Sequence, residues 1–420
     1  MRAKFFTDYS ANPNFATSDT AASNERMDGL VISAQNTPPN LNSSYYAEAV
    51  SVLDYGAKCD GKNDDTSALQ VAINAGIGKL ITLPSGHCLY TSLVIKGTGT
   101  SLVGKGRSST YLQQTNSTGD GIYIGDPATP GSVINTYNYS LAHMTIYPST
   151  PKTSGFAVHI HNVIGVYLFD IETGNDLLNA YGGGNRNFGG IWVDYSGSVH
   201  LEQTEIWAQA DVFRINDSVD SAIHYTNLRY GTIGLHMAGG VAGFHCTQSN
   251  IESNVNNMYV DNSIDGATPN HVNLFGTACS FDSSSSDNIV INTPLGGLNQ
   301  WVWNGASIAT QNGAAVNVIS APNYSNLIFN ATPIGSYSGS GTGDGIKLQD
   351  SSVTVQVSGS TQIYGNTGYG VRETYSSPTP NPVYIDVSTI WSIAGRGNTL
   401  GNTNFSYSTM CPAGFTCPGR

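Results

Sequence analysis

Charge is what this sequence has least of. Asp, Glu, Lys and Arg make up 11% of its 420 residues, against roughly 25% in ordinary globular domains. The Glu, Lys, Leu and Ala that a helical protein is built from are scarce, which argues against a mainly helical fold. No basic stripe is present, and the formal net charge is −12. Nucleic acid is therefore excluded as a partner, although a few local arginines could still serve an acidic glycan. No apolar run reaches the roughly 18 residues of a membrane span, so no membrane insertion is expected. Six cysteines are too few for a disulfide scaffold. Cys59, Cys88, Cys246 and Cys279 read as buried small hydrophobes, and Cys411 with Cys417 could close a small terminal loop. No Cys/His group has zinc-finger spacing, so neither a metal nor another cofactor is expected. The start, Met1-Arg-Ala-Lys-Phe-Phe, is basic but lacks the apolar core of a secretory signal. Either an export signal has been removed, or the protein leaves its cell another way, as a virion component does at lysis.

What is abundant is glycine (48), tyrosine (23) and small polar residues, the balance of a turn-rich all-β protein or a solenoid. The middle of the chain repeats. Gly190-Ile-Trp-Val-Asp, Val212-Phe-Arg-Ile-Asn, Ile233-Gly-Leu-His-Met, Asn257-Met-Tyr-Val-Asp and Asn288-Ile-Val-Ile-Asn align, preceded by Gly121-Ile-Tyr-Ile-Gly and Ala157-Val-His-Ile-His. Ile191, Phe213, Leu235 and Met258 are 22 or 23 residues apart, a period that suits one coil of three short strands and three turns. Alternation within the first strand places Ile122/Ile124, Val158/Ile160, Ile191/Val193, Phe213/Ile215, Leu235/Met237 and Met258/Val260 inside. For the second strand it places Val199/Leu201, Ile223/Tyr225 and Phe244/Cys246 inside. The third strand centres on Ile146, Ile171, Ile206, Leu228 and Ile251.

Before the repeats comes Asp54-Tyr-Gly-Ala-Lys-Cys-Asp-Gly-Lys-Asn-Asp-Asp-Thr-Ser-Ala-Leu-Gln70. Its second half predicts a short helix, N-capped by Asp64, Asp65 or Thr66, with Ala68, Leu69, Ala72 and Ile73 on one apolar stripe. This stretch resembles the amino-terminal signature of pectate-lyase-like β-helices, D-[YF]-G-A-x-x-D-G-x-x-D-D-T-x-A-[IL]-Q. The resemblance implies an all-β fold, a right-handed parallel β-helix with three strands per coil and a short capping helix. Its acids read as capping and turn residues. The expected organisation is a tail or neck over 1–49, the β-helix over 50–395, and a terminal loop over 396–420. Neither the Gly-His-Gly and Arg-Ile-Lys of polygalacturonases nor the R-x-P-x-x-R of calcium pectate lyases is found. What remains looks most like phage tailspike or capsule and exopolysaccharide depolymerases. That likeness implies a homotrimer, a virion tail location and a bacterial surface or extracellular polysaccharide as substrate.

Equivalent outward positions of a β-helix stack about 4.8 Å apart, so each face offers a row matched to a sugar chain. The first face carries Tyr123, His159, Trp192, Arg214, His236 and Tyr259, which fits either a subunit interface or a glycan groove. The second carries Tyr167, His200, His224, His245 and Asn273, a packed ladder that does not converge on one ion. The third carries Asp170/Glu172, Glu205/Trp207, Asn227/Arg229 and Asn250/Glu252, with Tyr147 one coil earlier. Glycoside hydrolysis needs two carboxyl groups about 5–10 Å apart. The expected catalytic pair therefore comes from Asp170, Glu172, Glu205 and Glu252, with Tyr147, Trp207 and Arg229 positioning sugar. Trp192, His159, Arg214 and His236 are further candidate binding residues. The insertion Gly174–Gly189 would wall this groove, and its Gly182-Gly183-Gly184 is not a phosphate loop. The alternatives are a lyase, in which Arg214 or Arg229 neutralises a uronate while His159, His236 or a Tyr removes the α-proton, and a spike that only binds glycan.

Overall fold

The computed structural model describes residues 49–129, 136–174, 186–261, 273–294, 300–321, 325–335, 343–350, 353–359, 361–364, 368–374, 383–385 and 390–391. The expectations for the tail, for most of the Gly174–Gly189 insertion, for the Cys411/Cys417 loop and for the terminal cap fall outside these residues. The chain divides into two units, Met1–Ala49 and Val50–Arg420. Among the described residues no helix is long and apolar enough to cross a membrane.

The second unit is a right-handed parallel β-helix. Strands pair with the equivalent strand one coil away, always in parallel, and each coil contributes one strand to each of three faces. On the first face the register runs Tyr123–His159–Trp192–Arg214–His236–Tyr259, the row that alternation predicts. Its inward neighbours from Ile122 to Val260 are at most 1% exposed. Burying an unbroken column of Ile, Val, Leu, Met and Phe is the main driving force of such a fold.

The opening segment also folds as its residues dictate. Helix α1 (Thr66–Ala75) buries Leu69, Ala72 and Ile73 over the end of the coil stack. Asp64 Oδ1 accepts the Thr66 amide at 2.9 Å, whereas the Asp65 carboxylate turns back to the Lys58 and Cys59 amides at 2.7 and 3.0 Å. Asp60 accepts the Lys62 and Asn63 amides, and those backbone hydrogen bonds pull its pKa down to about 2. These acids are turn and cap residues.

The corner between the second and third faces follows a rule that alternation misses. One residue per coil takes positive φ there: His143, Asp170, Gln203, Tyr225, Gln248 and Ala278, with values from 45° to 59°. From Gln203 on, each donates its amide to the strand-two carbonyl of the next coil, as in Gln203 to His224, Tyr225 to Thr247 and Gln248 to Thr277. After Gln203, Tyr225 and Gln248 the next residue, Thr204, Thr226 or Ser249, is small, polar and buried. Thr204 and Thr226 hydroxyls lie 3.0 Å apart, and the Thr226 amide reaches Ser249 Oγ at 3.1 Å.

Four expectations are corrected here. Tyr225 is not a core residue but a corner residue, 53% exposed, because Leu201 rather than Val199 aligns with Ile223. The same two-residue shift dissolves the imidazole ladder. His200 stacks on Ala222, Ala222 on His245, and His224 instead follows Glu202. On the third face Thr173, not Ile171, aligns with Ile146 and Ile206. The cysteines are corrected too: Cys59–Cys88 and Cys246–Cys279 are disulfides. Separations of 29 and 33 residues look scattered in sequence, yet each is one turn of the coil and brings the two thiols together inside it.

Candidate functional site

The third face holds two outward columns. Glu172 stands opposite Glu205 on adjacent coils, and the row continues through Asn227 and Asn250. Two residues further along each strand runs Trp207–Arg229–Glu252–Asp282. Arg229 ties the columns together, reaching Glu205 Oε1 at 3.3 Å and Glu252 Oε1 at 2.7 Å. On the other side Arg107 contacts Asp170 at 2.7 Å and Glu205 at 3.8 Å. Asp170, Glu205 and Glu252 each have a guanidinium beside them, which offsets the cost of taking these half-buried carboxylates from water.

Asp170 does not join the outward row. It sits at the corner, φ 52°, held by Arg107 and by His143 Nδ1 at 2.8 Å. Tyr147 keeps its column but is buried. Its hydroxyl meets His87 Nδ1 at 2.9 Å, it packs edge-on to Tyr111, and burial pushes its pKa up to about 12. Tyr147 is thus a packing residue. Trp207 is only 6% exposed, covered by Tyr230 with ring centroids 4.8 Å apart and by the Arg186 guanidinium. Trp207 Nε1 and Arg229 Nε are buried without a hydrogen-bond partner among the described residues, a costly state that a ligand hydroxyl would relieve.

Just past the third strand an open groove of about 470 Å³ crosses successive coils, lined by Arg186, Tyr230, Ser253, Asn254, Ser283 and Gln311 among others. Tyr230, Ser253 and Ser283 are successive positive-φ residues, so the groove floor repeats with the coil. Sequence reasoning missed Arg186, Tyr230 and Arg107, because corner residues carry no alternation signal.

The first face is less simply aromatic and cationic than its row suggests, because acids in neighbouring positions pair with each cation. His159 Nδ1 meets Asp120 at 2.8 Å and its Nε2 meets Asp194 at 3.1 Å, while Trp192 stacks on the ring at 4.0 Å. Burial opposes protonation of His159, but the two carboxylates outweigh it and raise its pKa. Arg214 lies over Trp192 and contacts Asp211 at 3.8 Å, and Asp211 also holds His236 at 2.8 Å. Asp120, Asp194, Asp211 and His161 were not singled out from sequence. For Asp194 and His161 the signal existed, since both are outward by alternation two residues beyond Trp192 and His159. On the second face Tyr167 donates its hydroxyl to Glu202, whose pKa burial raises.

Residues 49–267 match the model of a family described as rhamnogalacturonase A/epimerase, pectate lyase-like. The chain belongs to this pectate lyase-like family. A search of curated proteins finds no match. Solved structures share the fold at low identity. The Pseudomonas phage phi297 tailspike gp61 is 11% identical with a TM-score of 0.55, over 80% of this chain and 79% of that one. The tailspike protein of E. coli bacteriophage HK620 is 12% identical with a TM-score of 0.54, over 90% of this chain and 69% of that one. ORF18 of Geobacillus virus E2 is 16% identical with a TM-score of 0.46, and the chain covers 62% of its length with 82% of its own. Membership places the chain on a fold that serves many activities, so the activity has to be argued from the site.

Proposed function

We propose that this protein binds a bacterial surface or extracellular polysaccharide along the third face and hydrolyses it with Glu172 and Glu205. The carrying observation is the pairing of Glu172 with Glu205 on adjacent coils, followed on the next coils by an open groove lined by Tyr230, Ser253 and Ser283. A strand repeat of about 4.8 Å is close to the length of one sugar ring. Chain-like ligands therefore fit this groove better than compact ones. Glu172 and Glu205 face each other on adjacent strands, so their backbones stand about 4.8 Å apart and their side chains can bring the carboxyls to the roughly 5 Å separation of retaining glycosidases. In that chemistry one carboxyl protonates the leaving oxygen while the other attacks the anomeric carbon, and water then releases the sugar. Trp207 and Tyr230 offer ring surface and an indole N–H, and Arg229 and Arg186 supply donors for hydroxyl or carboxylate groups. Glu252, bound through Arg229, belongs to the positioning shell on this reading, and Asp170 belongs to the corner.

The polysaccharide test is direct. Incubation with a panel of capsular and exopolysaccharides should release new reducing ends from at least one. Glu172→Gln and Glu205→Gln should each cut that release by about 10²–10⁴-fold while leaving binding intact. Products with a new carbon–carbon double bond, detected by ultraviolet absorbance, would instead indicate lyase chemistry. A second reading, a spike that only binds, draws on the pairing of Glu205 and Glu252 with one guanidinium, since tied carboxylates also suit a purely structural ladder. It predicts binding without cleavage and no effect of either Gln variant.

A homotrimer in a virion tail is part of this proposal. The second face supports self-association through an outward apolar column, Phe275–Val302–Ile328, half-buried in the isolated chain and preceded by exposed His245.

A further inference from the structure

The geometry points to a transition-metal site on the first face, made by His159, His161 and Asp194. The sequence predicts no metal, and this site lies on a different face from the proposed sugar groove and does not depend on it. His159 and His161 are two residues apart on one strand (Phe156–His161), so both imidazoles leave from the same side. Asp194 is the cross-strand neighbour of His161 on the next coil. One ligand atom from each of the three lies within 4.8 Å of the others. His159 Nε2 and His161 Nδ1 both converge on Asp194 Oδ1, at 3.1 and 2.8 Å.

The far side of each ring matters as much. His159 Nδ1 is held by the Asp120 carboxylate at 2.8 Å, and Asp120 itself is anchored by the Phe156 amide at 2.8 Å. A carboxylate behind a histidine fixes the ring and makes its inner nitrogen a better ligand, the usual outer shell of metal-binding histidines. His161 Nε2 faces the Thr129 carbonyl at 3.4 Å and the Asn162 side-chain amide at 2.8 Å. The cluster is also walled in. Trp192 stacks on His159, Tyr123 packs edge-on against it, and Tyr195 lies edge-on to His161. His159 and Asp194 are 7% and 6% exposed.

Without metal, both inner nitrogens donate to Asp194 Oδ1. On binding, His159 would release its Nε2 proton to solvent and keep Nδ1–H on Asp120, and His161 would carry its one proton on Nε2 facing the Thr129 carbonyl. The two neutral imidazoles and the carboxylate would then turn to the ion. Two imidazoles and one carboxylate suit Zn²⁺, Co²⁺ or Ni²⁺, whereas Ca²⁺ and Mg²⁺ call for an all-oxygen set. Three protein ligands leave a fourth tetrahedral position for water or a ligand oxygen.

The probe is Co²⁺, added to the chelator-treated full chain and followed by its visible absorption and by thermal melting. One equivalent should give tetrahedral bands and raise the melting temperature. His161→Gln and Asp194→Asn should each weaken binding by more than about 100-fold, and Asp120→Asn by about 10–100-fold, with metal-free melting of the Asp120 variant close to wild type. His200→Gln, on the second face, should bind as wild type does. Absence of bands and of a melting shift in the wild type overturns the site, as does undiminished Co²⁺ binding in both ligand variants. If a variant fails to fold, the wild-type titration alone decides: a one-equivalent change in the bands with a melting shift supports the site, and the absence of both overturns it.

Discussion

Glu202 shows how far a single side chain on this fold is set by its neighbours. It ends a second-face strand (Gly197–Glu202), receives the Tyr167 hydroxyl, and burial raises its pKa. A carboxyl whose folded value lies above its unfolded one contributes stability in full below the unfolded value. That contribution is lost as pH rises through the folded value. Glu202→Gln, neutral at every pH, should therefore melt above wild type near neutrality, and the difference should close below the ordinary Glu value of about 4.3. Melting curves across this range check it. Arg229 is the opposite case, since removing it leaves Glu205 and Glu252 facing each other without their shared cation. Arg229→Met should cost about 1–3 kcal/mol by urea denaturation and abolish glycan binding at the third face. Arg229→Lys should restore stability better than binding, because an ammonium cannot bridge two carboxylates as a planar fork does.

At the scale of the strand and corner, alternation carried far. An apolar-in rule applied to Gly190-Ile-Trp-Val-Asp and its relatives gives the whole first-face row, because each strand there is long enough to show its period. Second- and third-face strands of three residues, such as Ala222–His224 and Asn227–Arg229, show too little of it. Their register depends on which residue turns the corner, and non-glycine residues such as Tyr225 or Gln248 give no sign that they adopt positive φ. That is why Tyr225 reads as core and His224 as a ladder rung. The same blindness hides the groove, which is built from corners (Tyr230, Ser253, Ser283), while Glu205, Trp207 and Arg229 on the strands were legible. The disulfides were hidden for a related reason: a pairing one coil apart is recognisable only once the coil length is known at that point. Cys246→Ser with Cys279→Ser should cost about 3.7 kcal/mol of stability on the loop-entropy scale for this separation of 33 residues. Equilibrium unfolding of the double variant against wild type, without reductant, measures it.

For the whole molecule, the family assignment and the coil stack make one physical statement: residues distant in sequence stand in straight rows. A row of apolar groups on the second face calls for another surface, and Phe275→Glu with Ile328→Asp should convert a trimer to monomers in light scattering while leaving the circular dichroism unchanged. On the proposed function, the row on the third face calls for a chain-like ligand. The most direct measurement is a crystal structure with a bound oligosaccharide of a cleaved polymer, using Glu205→Gln to trap it. Successive sugars should cross the coils beside Glu172, Glu205 and Arg229 and continue past Tyr230 towards Ser253 and Ser283. Sugars lying along the first or second face instead would contradict the account.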